Sequence, residues 1–159
     1  MTALPSTCDL CDPRKSDSSG ALRVFAGSGW RSYGGAERMT GPICTVRCLD
    51  DNSAVKAAVE SPGGGQVLVV DGAGSLRRAL LGGNLAAAAA RNGWAGLWIH
   101  AAVRDLAELR SVPIAIWALG HTPMPCDRKG QGEREVPIWI EGQPIRPGEW
   151  LLADADGLL

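Results

Sequence analysis

Residues 66–72 read QVLVVDG, and the fold class can be inferred from this run outward. The run is apolar, rich in β-branched valine and bounded by glycine, which is typical of a strand covered on both faces. Three other stretches also predict strands: GPICTVRCL (41–49), AGLWIHAAV (95–103) and PIAIWAL (113–119). We therefore expect these strands to lie inside the domain.

Helical patterns separate the predicted strands. They span DNSAVKAAVES (51–61), LAAAAAR (85–91) and RDLAELR (104–110). We expect Asn52 or Ser53 to cap the first helix and Asn84 the second, because these side chains can accept hydrogen bonds from the first turn. Helices alternating with strands predict an α/β domain with layers of sheet and helix, rather than a helical bundle or a pure barrel.

The remaining stretches have weaker patterns. LRVFAG (22–27) predicts a strand, whereas SLRRALL (75–81) is compatible with a strand or a helix. A long loop is expected at 120–133. The segments 134–140 and 143–154 have hairpin spacings, so the C-terminal part is predicted to be rich in β-structure.

Length and charge set limits on the class of protein. A chain of 159 residues corresponds to one domain, 1–159, with a polar segment at 1–20 that packs on it or extends from it. Sixteen Lys and Arg against 17 Asp and Glu argue against a broad basic face for nucleic acid. The apolar run LAAAAA is far shorter than a membrane span, and no signal-peptide pattern begins the sequence. We expect a cytoplasmic protein that binds neither nucleic acid nor membrane.

The five cysteines could suggest a zinc site, because Cys8 and Cys11 form a CxxC pair and Cys44 and Cys48 lie close in sequence. In a strand, however, residues 44 and 48 stand about 13 Å apart, at roughly 3.3 Å per residue. One zinc ion cannot bind two ligands at that separation. We therefore expect reduced thiols that pack as small hydrophobic residues.

Two other motifs are incomplete. VLVVDGAGSL (67–76) resembles the glycine turn of a dinucleotide-binding unit, but Arg77 stands where the third glycine is required. His100 and His121 belong to no metalloprotease motif, and no nucleophile elbow of a triad hydrolase occurs. Lysine occurs only three times, and none of the three has the pattern of a Schiff-base lysine.

The first candidate site is Gly82-Gly83-Asn84-Leu85. Glycines permit a tight turn, and the residues that follow open a helix whose free N–H groups carry partial positive charge. A carboxylate or phosphate can bind there without a cationic side chain. The alternative is an ordinary glycine turn with an asparagine cap.

The second candidate is Arg104-Asp105-x-x-Glu108, directly after a predicted buried strand. Arg104 can bind a carboxylate through two parallel hydrogen bonds. We expect Asp105 and Glu108 to share one helix face, so that both carboxylates could address one cation. The alternatives are a capping box and a surface ion pair between Arg104 and Glu108.

Together, the two candidates suit an α-keto acid. Its carboxylate would bind the helix amides and Arg104, and a Mg²⁺ or Mn²⁺ on Asp105 would stabilise the enolate left by cleavage of the bond beyond the keto carbon. The scarcity of lysine fits this metal route better than an imine route.

Several stretches carry a family resemblance. They are GPICTVRCLDDN, VLVVDGAGSLRRALLG, NGWAGLWIHAAVRD, GxGERxV and PGEWLLADADG. In this order, from Thr7 to Gly157, the chain resembles the RraA-like family. That family contains the regulator of ribonuclease E activity A and the class II 4-hydroxy-4-methyl-2-oxoglutarate aldolases, which also decarboxylate oxaloacetate. The resemblance implies a swivelling β/β/α three-layer domain, a homotrimer that could pair into a hexamer, sites between subunits and a divalent metal.

The resemblance also implies roles for individual residues. The family signature is an Asp, twenty residues, Arg-Asp, two residues and then Glu or Asp. Arg104, Asp105 and Glu108 match its second half, so Arg104 would bind the pyruvyl carboxylate and Asp105 the metal. The backbone of 82–85 would complete the carboxylate pocket.

One departure stands at the first position of this signature, where the chain has Gly83. The missing Asp would have assisted proton transfer to the enolate, a role that Asp71, Glu108 or an acid of another subunit could assume. Gly83→Asp should raise the rate, and a fall would show that another group is already the base.

Two functions remain open from the sequence. The first is a metal-dependent lyase acting on a small oxo-acid, which the intact Arg104-Asp105-x-x-Glu108 favours. The second is a non-enzymatic protein inhibitor of an RNase E-type endoribonuclease, which Gly83 favours. The six tryptophans are expected in the core or at subunit contacts.

Overall fold

The computed structural model describes residues 3–26 and 29–159, in which four helices and a short 3₁₀ turn accompany two β-sheets. The helices are α1 (Thr7–Cys11), α2 (Ser53–Val59), α3 (Gly83–Arg91) and α4 (Leu106–Ser111), and the 3₁₀ turn is Asp12–Arg14. The strands are β1 (Arg31–Ser32), β2 (Met39–Arg47), β3 (Val67–Asp71), β4 (Ala79–Leu81), β5 (Gly96–Val103), β6 (Ala115–His121), β7 (Glu133–Arg134), β8 (Ile138–Ile140), β9 (Gln143–Ile145), β10 (Trp150–Asp154) and β11 (Gly157–Leu158).

The central sheet has the order β1-β6-β5-β3-β2-β10-β11. Strands β6, β5, β3 and β2 are parallel, and β4 also pairs in parallel with β5. At the edges, β1, β10 and β11 add antiparallel pairings, as does β7 beside β2. The apolar runs at 66–72 and 95–103 thus form β3 and β5, which have a neighbour on each side.

Side chains alternate between two cores on the two faces of this sheet. Leu68 and Val70 point to the core beneath the helices, where they pack with residues of α2 and α3. Val67, Val69 and Trp98 point to the opposite core, which the β8–β9 hairpin covers through Ile138 and other apolar residues. Hairpin, sheet and helices form three layers, which confirms the predicted β/β/α architecture.

The strand predicted at 22–27 is wrong as a regular strand. Phe25 forms only an isolated bridge with Leu158, and Gly27 lies outside the described residues. The ambiguous stretch 75–81 contains the short strand β4. The predicted C-terminal β-structure is confirmed as β7 to β11.

Of the two predicted asparagine caps, Asn84 is wrong, and Asn52 is in the predicted position but makes no capping bond. Helix α3 begins at Gly83 with Gly82 as its N-cap, so Asn84 already lies in the first turn. Asn52 occupies the N-cap position of α2 but makes no side-chain capping bond. Its neighbour Asp51 accepts hydrogen bonds from Ser53 N and Oγ at 2.8 and 2.6 Å, which leaves the Asn52 amide free for other contacts.

The described part of the N-terminal segment packs on the rest of the chain. Thr7, which is buried, donates from its N and Oγ1 to the carboxylate of Asp154 at 2.8 and 2.6 Å. This contact joins α1 to β10. None of the helices in the described ranges is long and apolar enough to cross a membrane.

Cysteines and tryptophans divide between core and surface. Cys44 and Cys48 are buried, as predicted, and burial raises the pKa of the Cys44 thiol to about 11 and that of Cys48 to about 12. Cys8 is exposed instead. Trp30, Trp94, Trp98 and Trp117 are buried, whereas Trp139 and Trp150 are 59% and 67% exposed.

Candidate active site

The first turn of α3 presents free backbone donors. Gly82 precedes the helix in extended conformation (φ −132°, ψ −170°), and the Gly83 N–H donates to Oδ2 of Asp105 at 3.0 Å. The N–H groups of Asn84 and Leu85 have no hydrogen-bond partner among the described residues. Two of the predicted amides thus remain available for an anion, and that of Gly83 is already engaged.

Asp105 adopts an uncommon backbone conformation that decides where its carboxylate lies. It stands just before α4 with φ 59° and ψ 47°, in the left-handed region that Asp tolerates better than most residues. Its carboxylate turns to Gly83 and makes no capping bond to α4. The capping-box alternative and the expectation that Asp105 shares a helix face with Glu108 are both wrong, because the left-handed turn places Asp105 outside the helix.

A cleft of about 170 Å³ adjoins this turn. Its lining consists of Asn52, Ala79, Gly82, Asn84, Leu85, Arg104, Asp105, Pro125, Cys126 and Arg128. Five predicted site residues meet here, and the side chains of Arg104 and Asp105 remain 36% and 32% exposed. Gly83 and Glu108 are not part of the lining.

Glu108 packs against Gly83 beside the cleft. A Cβ atom on residue 83 would overlap Oε2 of Glu108 and lie 3.0 Å from its Cβ and Cδ atoms. The Glu108 carboxylate therefore occupies the space that a side chain at position 83 would need. Within residues 3–26 and 29–159 it forms no hydrogen bond or ion pair, so the surface pair with Arg104 is not formed.

Arg128 is a lining residue that sequence reasoning missed. Its Nε donates to Oδ1 of Asn52 at 3.1 Å, and Asn52 in turn donates from Nδ2 to the Leu80 carbonyl at 3.1 Å. Arg128 lies in the long loop after β6, where no local pattern indicates which way a side chain points. Its position depends on contacts with residues 76 positions earlier in the chain.

The carboxylate of Asp51 holds the loop after β6 in place through hydrogen bonds. Besides Ser53, its carboxylate accepts the backbone N–H groups of Lys129 and Gln131 at 2.8 and 3.2 Å. Burial raises the pKa of Asp51, but these hydrogen bonds outweigh burial and lower the pKa to about 2. A charged, buried anchor thus fixes the backbone on either side of residue 130.

Asp105 is the carboxylate in the cleft that could bind a metal ion. In the described ranges, no group of three or more His, Cys, Asp or Glu side chains converges on one point. A cation bound here would have one protein carboxylate and complete its shell with substrate and water oxygens. Mg²⁺ is often held in this way, so the donor set fits it.

Asp71 lies elsewhere in the structure. Its Oδ1 is 3.8 Å from Nδ1 of His100 and accepts the Ala73 N–H at 2.9 Å. Burial raises the pKa of Asp71, but the contacts with His100 and Ala73 more than offset this and lower it. Asp71 does not line the cleft, and its carboxylate is already engaged by the Ala73 N–H and lies beside His100, so its geometry does not support the role of substitute acid.

Known proteins resemble this chain over almost its whole length. The model of the RraA-like family, described as Aldolase/RraA, matches residues 7–159. An inferred 4-hydroxy-4-methyl-2-oxoglutarate aldolase of Albidiferax ferrireducens is 53% identical, over 100% of this chain and 96% of the relative.

Two solved structures share the fold closely. The RNA-processing inhibitor RraA from Thermus thermophilus has a TM-score of 0.89 and 46% identity, with 99% of this chain and 92% of that chain covered. An S-adenosylmethionine:2-dimethylmenaquinone methyltransferase from Geobacillus kaustophilus has a TM-score of 0.87 and 42% identity, with 97% and 92% covered. The names of these relatives describe three different activities, whereas the two solved structures share the fold of this chain. On this evidence the chain belongs to the RraA-like family.

Proposed function

We propose that the protein is a divalent-metal-dependent aldolase that cleaves 4-hydroxy-4-methyl-2-oxoglutarate to two molecules of pyruvate. The same site would decarboxylate oxaloacetate, because both reactions pass through the enolate of pyruvate. The observation that carries the proposal is the presence of Arg104, Asp105 and the free amides of α3 in one cleft. An inferred aldolase with 53% identity supports the choice of substrate.

The carboxylate next to the keto group would bind at the start of α3. The N–H groups of Asn84 and Leu85 supply two backbone donors, and the Arg104 guanidinium can supply two more in a parallel arrangement. These groups would orient the keto acid with its keto oxygen towards Asp105. Fixing the substrate in this way reduces the entropic part of the barrier.

Asp105 would hold the divalent cation, Mg²⁺ or Mn²⁺. When bound, the cation supplies Lewis-acid stabilisation of the negative charge on the enolate. The Gly83 N–H holds Oδ2 of Asp105 in place, and Arg104 Nε lies 3.5 Å from Oδ1. Both contacts orient the carboxylate, as a metal ligand requires.

Arg128 offers a site for a second carboxylate. Oxaloacetate and 4-hydroxy-4-methyl-2-oxoglutarate each have two carboxylates, one beside the keto group and one at the other end. Arg104 and Arg128 both line the cleft, and only the Nε of Arg128 is used within the described protein, in its bond to Asn52. We assign the distal carboxylate of the substrate to Arg128.

The proposed oligomeric state and cellular location of the protein are based on the family resemblance. We expect a homotrimer, whose trimers could pair into hexamers, with each site completed at a subunit boundary. Exposed Trp139 and Trp150 are candidates for such contacts. The free thiols favour a reducing compartment, in keeping with a cytoplasmic enzyme.

A second candidate function is inhibition of an RNase E-type endoribonuclease by direct protein contact. It is favoured by the likeness to the Thermus thermophilus protein, which is described as an RNA-processing inhibitor. This function would need no metal and no turnover of oxo-acids. The glycine at position 83, where the family signature has an acid, also agrees with it.

The deciding experiment is an oxaloacetate assay on the purified protein with Mg²⁺, with Mn²⁺ and with EDTA. We expect pyruvate formation only with a divalent cation, and its loss in Asp105→Ala. Pyruvate formation that EDTA does not affect would overturn the metal mechanism. No turnover of either oxo-acid under any condition would leave the inhibitor function as the better explanation.

A further inference from the structure

Aldol cleavage needs a base that decarboxylation does not. In the proposed substrate, the proton of the C4 hydroxyl must leave as the C3–C4 bond breaks. Oxaloacetate has no such hydroxyl, because carbon dioxide departs from a carboxylate that is already ionised. A site that performs both reactions therefore requires a proton acceptor near the cleft that is used in only one of them.

Three aspartates near the cleft, Asp50, Asp51 and Asp105, already have partners. Asp51 is buried and accepts several hydrogen bonds from its own turn and from the loop. Asp50 accepts the Ser75 hydroxyl and pairs with Arg77. Asp105 accepts the Gly83 N–H and is the metal ligand of the proposed function. These three groups cannot act as a base without giving up a structural contact or the metal.

Glu108 differs in both position and bonding. Its carboxylate lies against Gly83, the residue whose N–H also contacts Asp105. It has no hydrogen-bond or ion-pair partner in the described ranges, and its side chain is exposed, so its terminal bonds can rotate. Only glycine at position 83 leaves room for it there.

We infer that Glu108 is the proton-transfer group of aldol cleavage in this chain, an inference that rests on the proposed function. Its carboxylate takes the proton of the C4 hydroxyl. The C3–C4 bond then breaks, C4 becomes the keto carbon of one pyruvate, and the electron pair stays with the other fragment as the enolate. Protonated Glu108 returns the proton to C3, which yields the second pyruvate and restores the carboxylate.

The test compares Glu108→Gln with Glu60→Gln, which removes an exposed carboxylate at the end of α2. Four quantities are measured on each protein: cleavage of 4-hydroxy-4-methyl-2-oxoglutarate, exchange of the pyruvate methyl protons with D₂O by NMR, decarboxylation of oxaloacetate, and Mn²⁺ binding by calorimetry. In Glu108→Gln we expect cleavage and methyl exchange to fall by about 10²–10⁴-fold, the range of general acid–base catalysis. Decarboxylation and the Kd for Mn²⁺ should match those of Glu60→Gln, because the enolate left by decarboxylation can take its proton from water.

Each other result counts against a stated part of the argument. Cleavage by Glu108→Gln at the wild-type rate would overturn the role of Glu108 and leave the proposed function intact. Parallel loss of cleavage, decarboxylation and Mn²⁺ binding would show that Glu108 only supports the metal site, which also overturns the inference. A wild-type protein that neither cleaves nor decarboxylates would overturn the proposed function, and the role of Glu108 with it.

Discussion

The backbone N–H of Gly83 and Oδ2 of Asp105 are joined by a hydrogen bond of 3.0 Å. This bond connects the first residue of α3 to the turn between β5 and α4. It fixes the carboxylate that we assign to the metal, and it explains why Asp105 leaves the first turn of α4 uncapped. Variants of residues 82, 83 and 105 therefore report directly on the proposed site.

Asp105→Asn should separate stability from activity. The amide oxygen of Asn can still accept the Gly83 N–H, and Asn tolerates the left-handed conformation, so the Tm should stay close to that of wild type. Loss of the charge removes the metal ligand, and oxaloacetate decarboxylation should fall by about 10²-fold or more. Asp105→Ala should in addition lower the free energy of unfolding by roughly 1–3 kcal/mol, through backbone strain and the lost hydrogen bond. Equal stability of the two variants in urea titrations would contradict this explanation.

Gly82→Ala and Gly83→Ala should have different effects although they are neighbours. A Cβ on residue 82 would lie 2.6 Å from Asp105 Oδ2, so Gly82→Ala should impair both decarboxylation and aldol cleavage. A Cβ on residue 83 would meet only the side chain of Glu108 and displace it, so Gly83→Ala should impair cleavage and preserve decarboxylation. Assays of both reactions on both variants test the division, which fails if the two variants have the same profile.

Gly83→Asp tests whether a carboxylate at position 83 can replace that of Glu108 as the proton-transfer group. The sequence alone predicts a faster enzyme, but the structure places Glu108 where the new side chain would go. Because two carboxylates would compete for one space, we now expect the single variant to be slower in cleavage than wild type. The double variant Gly83→Asp/Glu108→Gln should cleave faster than Glu108→Gln alone. A single variant that exceeds wild type would show that Glu108 does not already act as the base.

Arg128→Gln should weaken binding of substrates with two carboxylates. The KM for oxaloacetate should rise about tenfold or more, since a charge-assisted hydrogen bond contributes roughly 1.5–3 kcal/mol. Pyruvate has one carboxylate, so its inhibition constant should not change. Lys129→Gln is the matched control, because the structure uses only the backbone N–H of Lys129 in the Asp51 anchor. An equal loss of pyruvate binding in Arg128→Gln would show that the whole cleft, rather than one subsite, is disturbed.

Asp51→Asn should reduce stability in a way that depends on pH. The pKa of Asp51 in the folded protein, about 2, lies below its ordinary value of 3.8, so the ionised carboxylate stabilises the fold above that value. We expect the variant to lose roughly 2 kcal/mol near neutral pH, the scale of hydrogen bonds to a charged group. The difference from wild type should shrink as the pH falls from 3.8 towards 2. Urea unfolding over this range measures it, and a difference that is independent of pH would exclude the charge as its cause.

The sequence predicts the core of the fold well, because burial and local pattern agree there. Val67 and Val69 alternate with Leu68 and Val70 on two covered faces, so an unbroken apolar run is enough to identify β3. At 22–27 the pattern is similar but the outcome differs. Of the described residues in this stretch, only Phe25 pairs with a strand, and the pattern cannot show whether a neighbouring strand is available.

The site was predictable where its residues follow directly from strand and helix ends. Arg104 and Asp105 come directly after β5, and the start of α3 lies beside them. The direction in which the Asp105 carboxylate points was not predictable, because it depends on the left-handed backbone conformation of Asp105 itself. Arg128 reaches the cleft through Asn52 and the loop anchor at Asp51, and no local rule connects residues so far apart.

The loop between β6 and β7 has no helix of its own, and a single bridge at Pro125 is its one β-contact in the described chain. Its course is nevertheless fixed by hydrogen bonds to residues outside it, among them the side chains of Asp51, Asn52, Ser53 and Arg78 and the backbone of Ala79. Specificity could therefore be redesigned by grafting a new loop onto unchanged anchor points, without repacking the sheet. Such grafts offer a route to enzymes that accept oxo-acids with longer or uncharged tails.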